Sequence, residues 1–334
     1  MNWAFVGAST IAGQYLVGAV RAQAGNDVAW VVSGSANRAA SFAKTHSIAQ
    51  SGTDLAAALA DPAVNAVYIS STNEKHHAQA MAAIAAGKHV LCEKPLATSI
   101  ADATDMVRAA EKAGLVFATN HQLRSSGSLR AIRDLIALGR VGKVLSLRVF
   151  HAVELPVHLR GWRLDNPGAG GGVIADLTVH NADCVRFLLG EDPVSVVAHM
   201  DATGLGQGVE DSAMSVWAMP SGAMVFSHES FTHPFAASGI EVHGTKGSIL
   251  ARGILSQEPA GEIDLISAQG TDCVEYDRAG LYETVVRDFA TAVTGKASPA
   301  ASGRDGVKSL QIAEAVRAAA LSGQRQTVNY GETL

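Results

Sequence analysis

The chain predicts an α/β region with a doubly wound parallel sheet, followed by an α+β region with an open, mostly antiparallel sheet. Three observations lead there. The 334 residues exceed what a single hydrophobic core usually serves, so two domains are expected. Over residues 1–120, short apolar runs alternate with Ala-rich helical runs, the pattern of parallel strands joined by right-handed crossovers. Beyond residue 120 the strand-like runs follow one another across tight turns, which indicates antiparallel pairing. The expected domains are therefore 1–120 and 121–334, with the C-terminal helices able to pack back on the first.

Each element has its own signal. Trp3–Gly7 is a short apolar run ending at glycine, and Ile11–Ala22 has helical spacing. Val28–Val32 is rich in valine and stops at Ser33-Gly34-Ser35, a turn sequence. Asp54–Ala60 reads as a helix, punctuated by Asp61-Pro62 before the strand Ala66–Ser70. The helix His77–Ala86 stops at Gly87, the strand His89–Cys92 follows, and the helix Ser99–Lys112 precedes Gly114 and the strand Val116–Thr119. After a helix at Leu129–Leu138, strands are expected at Val144–Val153, Val194–Met200, Ala213–Ala218, Ala223–His228, Ile240–His243 and Ile263–Ile266. Helices at Leu177–Leu189, Tyr282–Val293 and Gly306–Leu321 complete the reading.

Composition removes several functions. Hydrophobic residues make up 48% and charged residues 17%, which argues against disorder. The net charge of −5 gives no basic surface for nucleic acid or an anionic membrane. No uninterrupted apolar run approaches the length of a membrane span. Cys92, Cys184 and Cys273 form no Cys-x-x-Cys pair, so neither zinc nor a disulfide framework is expected. The start Met1-Asn2-Trp3-Ala4 lacks the basic, apolar pattern of a secretory signal, and a cytoplasmic protein is expected.

Chemistry concentrates where the strands of the first region end. The turn Gly7-Ala8-Ser9-Thr10-Ile11-Ala12 resembles a dinucleotide fingerprint of the Rossmann fold in which Ser9 replaces the second glycine and Ala12 the third. It joins the first strand to the first helix, whose N-terminus favours phosphate; the other reading is an ordinary βα turn. Where NAD enzymes place an acid for the ribose 2′-hydroxyl, this chain has Ser33, with Arg38 five residues on. A hydroxyl and a guanidinium suit a 2′-phosphate, so NADP(H) is expected, unless Arg38 is merely solvated on its helix. Lys94, in Glu93-Lys94-Pro95, can polarise a carbonyl or sit as a surface lysine at a strand end. His76 and His77 follow Ser71-Thr72-Asn73-Glu74 at a strand-to-helix turn, which either lines a cofactor or caps a helix.

In the second region Gly170-Gly171-Gly172 precedes Asp176 and His180. On a helix this i, i+4 pair shares a face, so the carboxylate can orient the imidazole as a general acid; equally, His180 can be a core histidine. The glycines would let backbone approach a ligand or the other domain closely. No third ligand is apparent nearby, so no metal is expected. His151 and the loop carrying His158, Trp162 and Arg163 suit either a polyol or an interface.

Taken together, the glycine turn, Thr72-Asn73-Glu74-x-His76, Ala85 through Pro95, and Gly170-Gly171-Gly172 with Asp176 and His180 resemble the glucose–fructose oxidoreductase/inositol dehydrogenase (Gfo/Idh/MocA) family over nearly the whole chain. Further likeness lies at Ser33 with Arg38, Asn120-His121, Phe150-His151-Ala152, Gly161-Trp162-Arg163 and Leu281-Tyr282-Glu283-Thr284. The resemblance implies NADPH-dependent reduction of a sugar-derived ketone, with His180 and Lys94 serving proton transfer beside Asp176. It implies cofactor contacts from Gly7, Ser9, Thr10, Ile11, Ala12, Ser33, Arg38, Ser71, Thr72, Asn73, His76, Glu93, Lys94, Asn120, Trp162, Arg163 and Tyr282. The substrate side would comprise Lys94, His151, Trp162, Arg163, Asp176 and His180. Another sugar or inositol dehydrogenase of this family is the alternative. A nonenzymatic NADP(H) sensor is disfavoured by the proton-transfer groups. Monomer and homo-oligomer are both compatible with the chain.

Overall fold

A computed structural model describes residues 1–331, which divide into two compact units. The first comprises Met1–Gln122 and Tyr282–Val307, and the second Leu123–Leu281 with residues 308–331.

In the first unit, strands β1 (Asn2–Val6), β2 (Asp27–Val32), β3 (Gln50–Gly52), β4 (Val64–Ile69), β5 (His89–Cys92) and β6 (Phe117–Thr119) form one parallel sheet. Its order is β3-β2-β1-β4-β5-β6. Strand β1 sits centrally because Trp3, Ala4 and Phe5 are apolar on both faces and fully buried. The order reverses beside β1, which places the carboxyl ends of β1 and β4 at the switch point where such sheets bind ligands. The short polar strand β3 carries no apolar run and is not visible in the sequence pattern.

The crossovers are α1 (Val17–Arg21), α2 (Ala36–His46), α3 (Leu55–Ala60), α4 (His76–Ala85) and α5 (Ile100–Lys112). A wide π-type turn, Ala12–Leu16, leads into α1. Side chains of Ser35, Asp54 and Ser99 accept first-turn amides at the starts of α2, α3 and α5. Tyr282–Val307 belongs with this unit: Phe289, on helix α9 (Leu281–Val293), lies 5.0 Å from Trp3 between ring centroids.

The second unit has nine strands, β7 (Val144–Ala152), β8 (Ser195–Asp201), β9 (Ser212–Ala218), β10 (Met224–Ser230), β11 (Gly239–Gly244), β12 (Gly247–Arg252), β13 (Glu262–Ser267), β14 (Gly270–Cys273) and β15 (Gln326–Thr327). Their order is β14-β13-β12-β11-β7-β10-β9-β8-β15. Pairing is antiparallel except between β7 and β10, which run parallel. The helices are α6 (Gly127–Ala137), the short α7 (Trp162–Asp165), α8 (Val179–Leu189) and the later part of α10 (Gly303–Ser322). Leu147, Val149, Val225, Val179, Val185 and Val316 share one buried core.

Candidate active site

The site residues of the first unit gather at the carboxyl ends of β1, β2, β4, β5 and β6. Gly7 has φ +115°, and a Cβ there would lie 2.7 Å from the Ser70 carbonyl carbon and oxygen. Only glycine allows this approach of the first turn to the end of β4. A Gly7→Ala substitution is expected to cost about 1–3 kcal/mol, read from urea unfolding. An unchanged midpoint would contradict the packing argument. Ser9 Oγ accepts from the Ala12 amide (3.2 Å) and donates to Ser70 Oγ (2.9 Å). Thr10 is exposed and Ile11 is half-buried at the helix start, where amide N–H groups lack intrahelical acceptors.

Ser33 is buried at the end of β2, its amide donating to Gly52 O (3.0 Å). Arg38 is exposed on the first turn of α2, and no described residue pairs with its guanidinium. No acid occurs between Ser33 and Arg38. An uncompensated cation and a hydroxyl thus stand where the second strand ends.

After β4, Ser71 Oγ donates to Gln79 Oε1 (2.7 Å) and Thr72 Oγ1 to Glu74 Oε1 (2.7 Å). Asn73 is buried at the following turn. His76 is fully buried, with Nδ1 3.0 Å from Pro95 O and Nε2 3.2 Å from Ser71 O. Burial holds its proton affinity below that of a free imidazole. A neutral ring has one N–H for these two carbonyls. His76 therefore bears on the site through the two loops it joins, rather than as an open lining group.

Lys94 follows β5, half-buried, and is joined to Pro95 by a cis peptide bond. Beside it Glu93 Oε1 accepts from Tyr68 OH (2.6 Å) and Asn120 Nδ2 (2.6 Å). Burial pushes the Glu93 carboxyl above its ordinary range and the Tyr68 phenol well above its own, so Tyr68 remains a donor. Asn120 is buried, its amide N–H bound to Cys92 O (2.7 Å), while its Oδ1 meets no donor among the described residues. Tyr282 is buried in a stack on Tyr15, with centroids 4.8 Å apart.

These features fit a dinucleotide: a glycine turn only a bare backbone can make, a helix start beyond it, an unpaired guanidinium, and a buried amide oxygen awaiting an N–H. A carboxamide offers such an N–H.

The second unit carries the other residues on the inward side of its sheet. His151, near the end of β7, has its ring centroid 6.3 Å from that of His180, which is buried near the start of α8. Asp176 lies on a second π-type turn, Ile174–Thr178, with its Oδ2 3.3 Å from Arg163 Nε. The Arg163 guanidinium also covers the Trp162 ring at 4.6 Å. So Arg163, Trp162 and Asp176 form one connected patch.

Gly171 and Gly172, before Asp176, approach this unit's own chain. A Cβ on Gly171 would lie 2.6 Å from Trp162 O, and one on Gly172 (φ +105°) 2.4 Å from Glu210 Oε1. Sequence reading missed Glu210. Its Oε1 accepts from the Ile174 amide (3.2 Å) and its Oε2 lies 3.1 Å from Arg317 Nη1, anchoring the turn that bears Asp176. Among the described residues no cluster of His, Cys, Asp or Glu could hold a metal, and no helix is long and apolar enough to cross a membrane.

Comparison with known proteins follows the same division. Residues 1–121 match the model of the oxidoreductase family with an NAD-binding Rossmann fold, and residues 129–250 match the GFO/IDH/MocA C-terminal domain. A 1,5-anhydro-D-fructose reductase from Ensifer adhaerens is 48% identical over 331 residues, covering 99% of both chains. A myo-inositol 2-dehydrogenase from Thermotoga maritima is 28% identical over 77% of this chain and 78% of that one. Among solved structures, aldose-aldose oxidoreductase from Caulobacter crescentus covers 98% of this chain and 99% of its own with a TM-score of 0.90 at 24% identity, a likeness of fold. The chain is an oxidoreductase with a nicotinamide-dinucleotide domain and belongs to the Gfo/Idh/MocA family.

Proposed function

We propose that the protein is an NADPH-dependent reductase of a sugar-derived ketone, converting 1,5-anhydro-D-fructose to 1,5-anhydro-D-mannitol. The observation that carries this reading is the 48% identity to the Ensifer reductase over essentially the full length of both chains. Gly7, Ser9, Thr10, Ile11 and Ala12 would hold the pyrophosphate, and Ser33 with Arg38 the 2′-phosphate. Ser71, Thr72, Asn73, Glu93 and Asn120 would hold the remainder, with Tyr282 packed beside it and Trp162 and Arg163 closing on it. Bound, the reduced nicotinamide supplies the hydride for the substrate carbonyl carbon.

The chain's own groups do the rest. The Lys94 ammonium polarises the carbonyl oxygen and stabilises the charge that develops there. His180 gives the proton that turns the alkoxide into a hydroxyl. Asp176 and Arg163 fix the polar wall along which the substrate hydroxyls bind, and His151 and Trp162 complete it. A polyol presents several hydroxyls, and this mix of carboxylate, guanidinium and imidazole can both donate to and accept from them. The protein acts in solution in the cytoplasm.

Cofactor choice gives a direct test. Arg38→Ala removes a charge-assisted contact, for which about 1.5–3 kcal/mol is usual. The kcat/KM for NADPH should fall about 10- to 150-fold while that for NADH stays unchanged, as measured by initial rates. An equal loss with both cofactors would refute the 2′-phosphate assignment.

A further inference from the structure

One carboxyl close to the second unit's histidines has no place in the reading above. Glu229, on β10, is fully buried. On the parallel neighbour β7 its register partner is His151, and in the same register Ser227 pairs with Val149. Register partners in a sheet share a face, about 4.8 Å apart, so Glu229 and His151 stand side by side on the inward face. The helix above supplies its contacts. Asn181 Nδ2, one residue beyond His180, donates to Glu229 Oε1 (2.8 Å) and lies 3.1 Å from Ser227 Oγ, while Ser227 Oγ donates to the same Glu229 oxygen (2.5 Å). The second carboxyl oxygen, Oε2, is buried and meets no hydrogen-bond partner among the described residues.

We propose that Glu229 is a positioning residue of the reaction, a buried carboxyl that ties the start of α8 to β7 and β10 and adjusts where His180 and His151 hold their protons. The inference rests on His180 being the proton donor.

The surroundings limit what else could act on it. On β9 the register partner of Glu229 is Ala213. On the helix and the turn before it, the titratable or charged groups are Asp176, His180, Asp183, Cys184 and Arg186, the last paired with Asp192. On β7 they are His151 and, on the opposite face, Arg148, and on β10 itself His228 is also on the opposite face. Asp176 is paired with Arg163, and Asp183 is held by Arg124 at 2.7–2.8 Å. The two imidazoles are the neighbours whose charge can answer that of Glu229. Burial raises the Glu229 carboxyl to about 7, so it changes charge where imidazoles also titrate. Ionised, it favours protonated histidines; neutral, it releases them. The Asn181 amide can serve both states, since its Oδ1 meets no donor among the described residues and could accept from a protonated carboxyl after a flip.

The test uses the full-length protein and Glu229→Gln, which keeps the shape. Histidine NMR titration reads the imidazoles without any substrate. The proposal expects two-step titrations of His151 and His180 in the parent, and in the variant a single step displaced downward by about half a unit to one unit. The kcat profile against pH should shift the same way, with KM for the cofactor unchanged. Superimposable titrations in parent and variant would overturn the proposal, whatever substrate the enzyme takes. Loss of the proposed ketone reduction with the titration shift intact would overturn the functional reading alone.

Two further measurements keep the idea falsifiable if the variant folds poorly. Ser227→Ala removes a donor to the ionised carboxyl and should displace its step upward. Stability provides the second readout. A carboxyl raised on folding contributes stability that is fully present below its unfolded value and lost as pH rises through its folded one. The Tm of the parent should therefore fall relative to Glu229→Gln between about pH 4.5 and about pH 7. No step displacement in Ser227→Ala, or a constant Tm difference, would count against a titrating Glu229.

Discussion

Replacing Lys94 with methionine is expected to lower kcat by about 10²–10⁴, the larger of the two effects anticipated, while NADPH still binds. Methionine keeps the length and the apolar stem, so the change isolates the charge. Lys94 leaves the end of β5 beside Glu93, whose carboxyl is engaged by Tyr68 and Asn120, and is followed by Pro95, whose carbonyl meets buried His76. That support fixes the backbone from which the amine projects. Stopped-flow fluorescence of bound NADPH separates binding from turnover. Unchanged turnover would remove Lys94 from the mechanism; a loss confined to cofactor affinity would make it a binding residue only.

Replacing His180 with asparagine is expected to lower kcat by about 10²–10³ and to flatten the dependence of kcat on pH. Asparagine can hydrogen-bond to a carbonyl or an alkoxide but cannot protonate it at neutral pH. His180 is buried near the start of α8, within one core with β7 and β10, so a gross change in packing would show as a lower Tm. The informative result is a kinetic loss at constant Tm. A retained pH profile would show that the proton comes from elsewhere.

Much of the fold can be read from the chain because each unit repeats one rule. Apolar strands alternating with helices that stop at Gly87 or Gly114 force a parallel sheet, and the buried β1 residues mark its centre. The strand β3, Gln50–Gly52, escapes notice because three polar or small residues carry no periodicity. The parallel pairing of β7 with β10 is equally hidden, since the two strands lie some eighty residues apart and nothing local sets their register.

The candidate site divides in the same way. Gly7 and Lys94 follow strand ends, where the fold itself exposes them, so motif and position agree. Glu229 sits in Val225-Phe226-Ser227-His228-Glu229, where the inward positions 227 and 229 are polar. Alternation alone would turn this face outward, and only the donors from Asn181 and Ser227 explain its burial. The Asp176–Arg163 pair and the Glu210 anchor depend on a loop returning to a helix start, a closure that sequence spacing does not record. The glycines at 171 and 172 announce a close approach without naming the partner, which proves to be Trp162 and Asn166 for the first and Glu210 for the second.

The most direct test of the account is reduction of 1,5-anhydro-D-fructose followed by NADPH absorbance, with the product identified by NMR. NADPH should be consumed one-for-one with new 1,5-anhydro-D-mannitol, faster than with inosose, glucosone or simple ketoses, and more efficiently than with NADH. No oxidation of NADPH by this ketone, alongside ready turnover of an inositol or another sugar, would contradict the central claim.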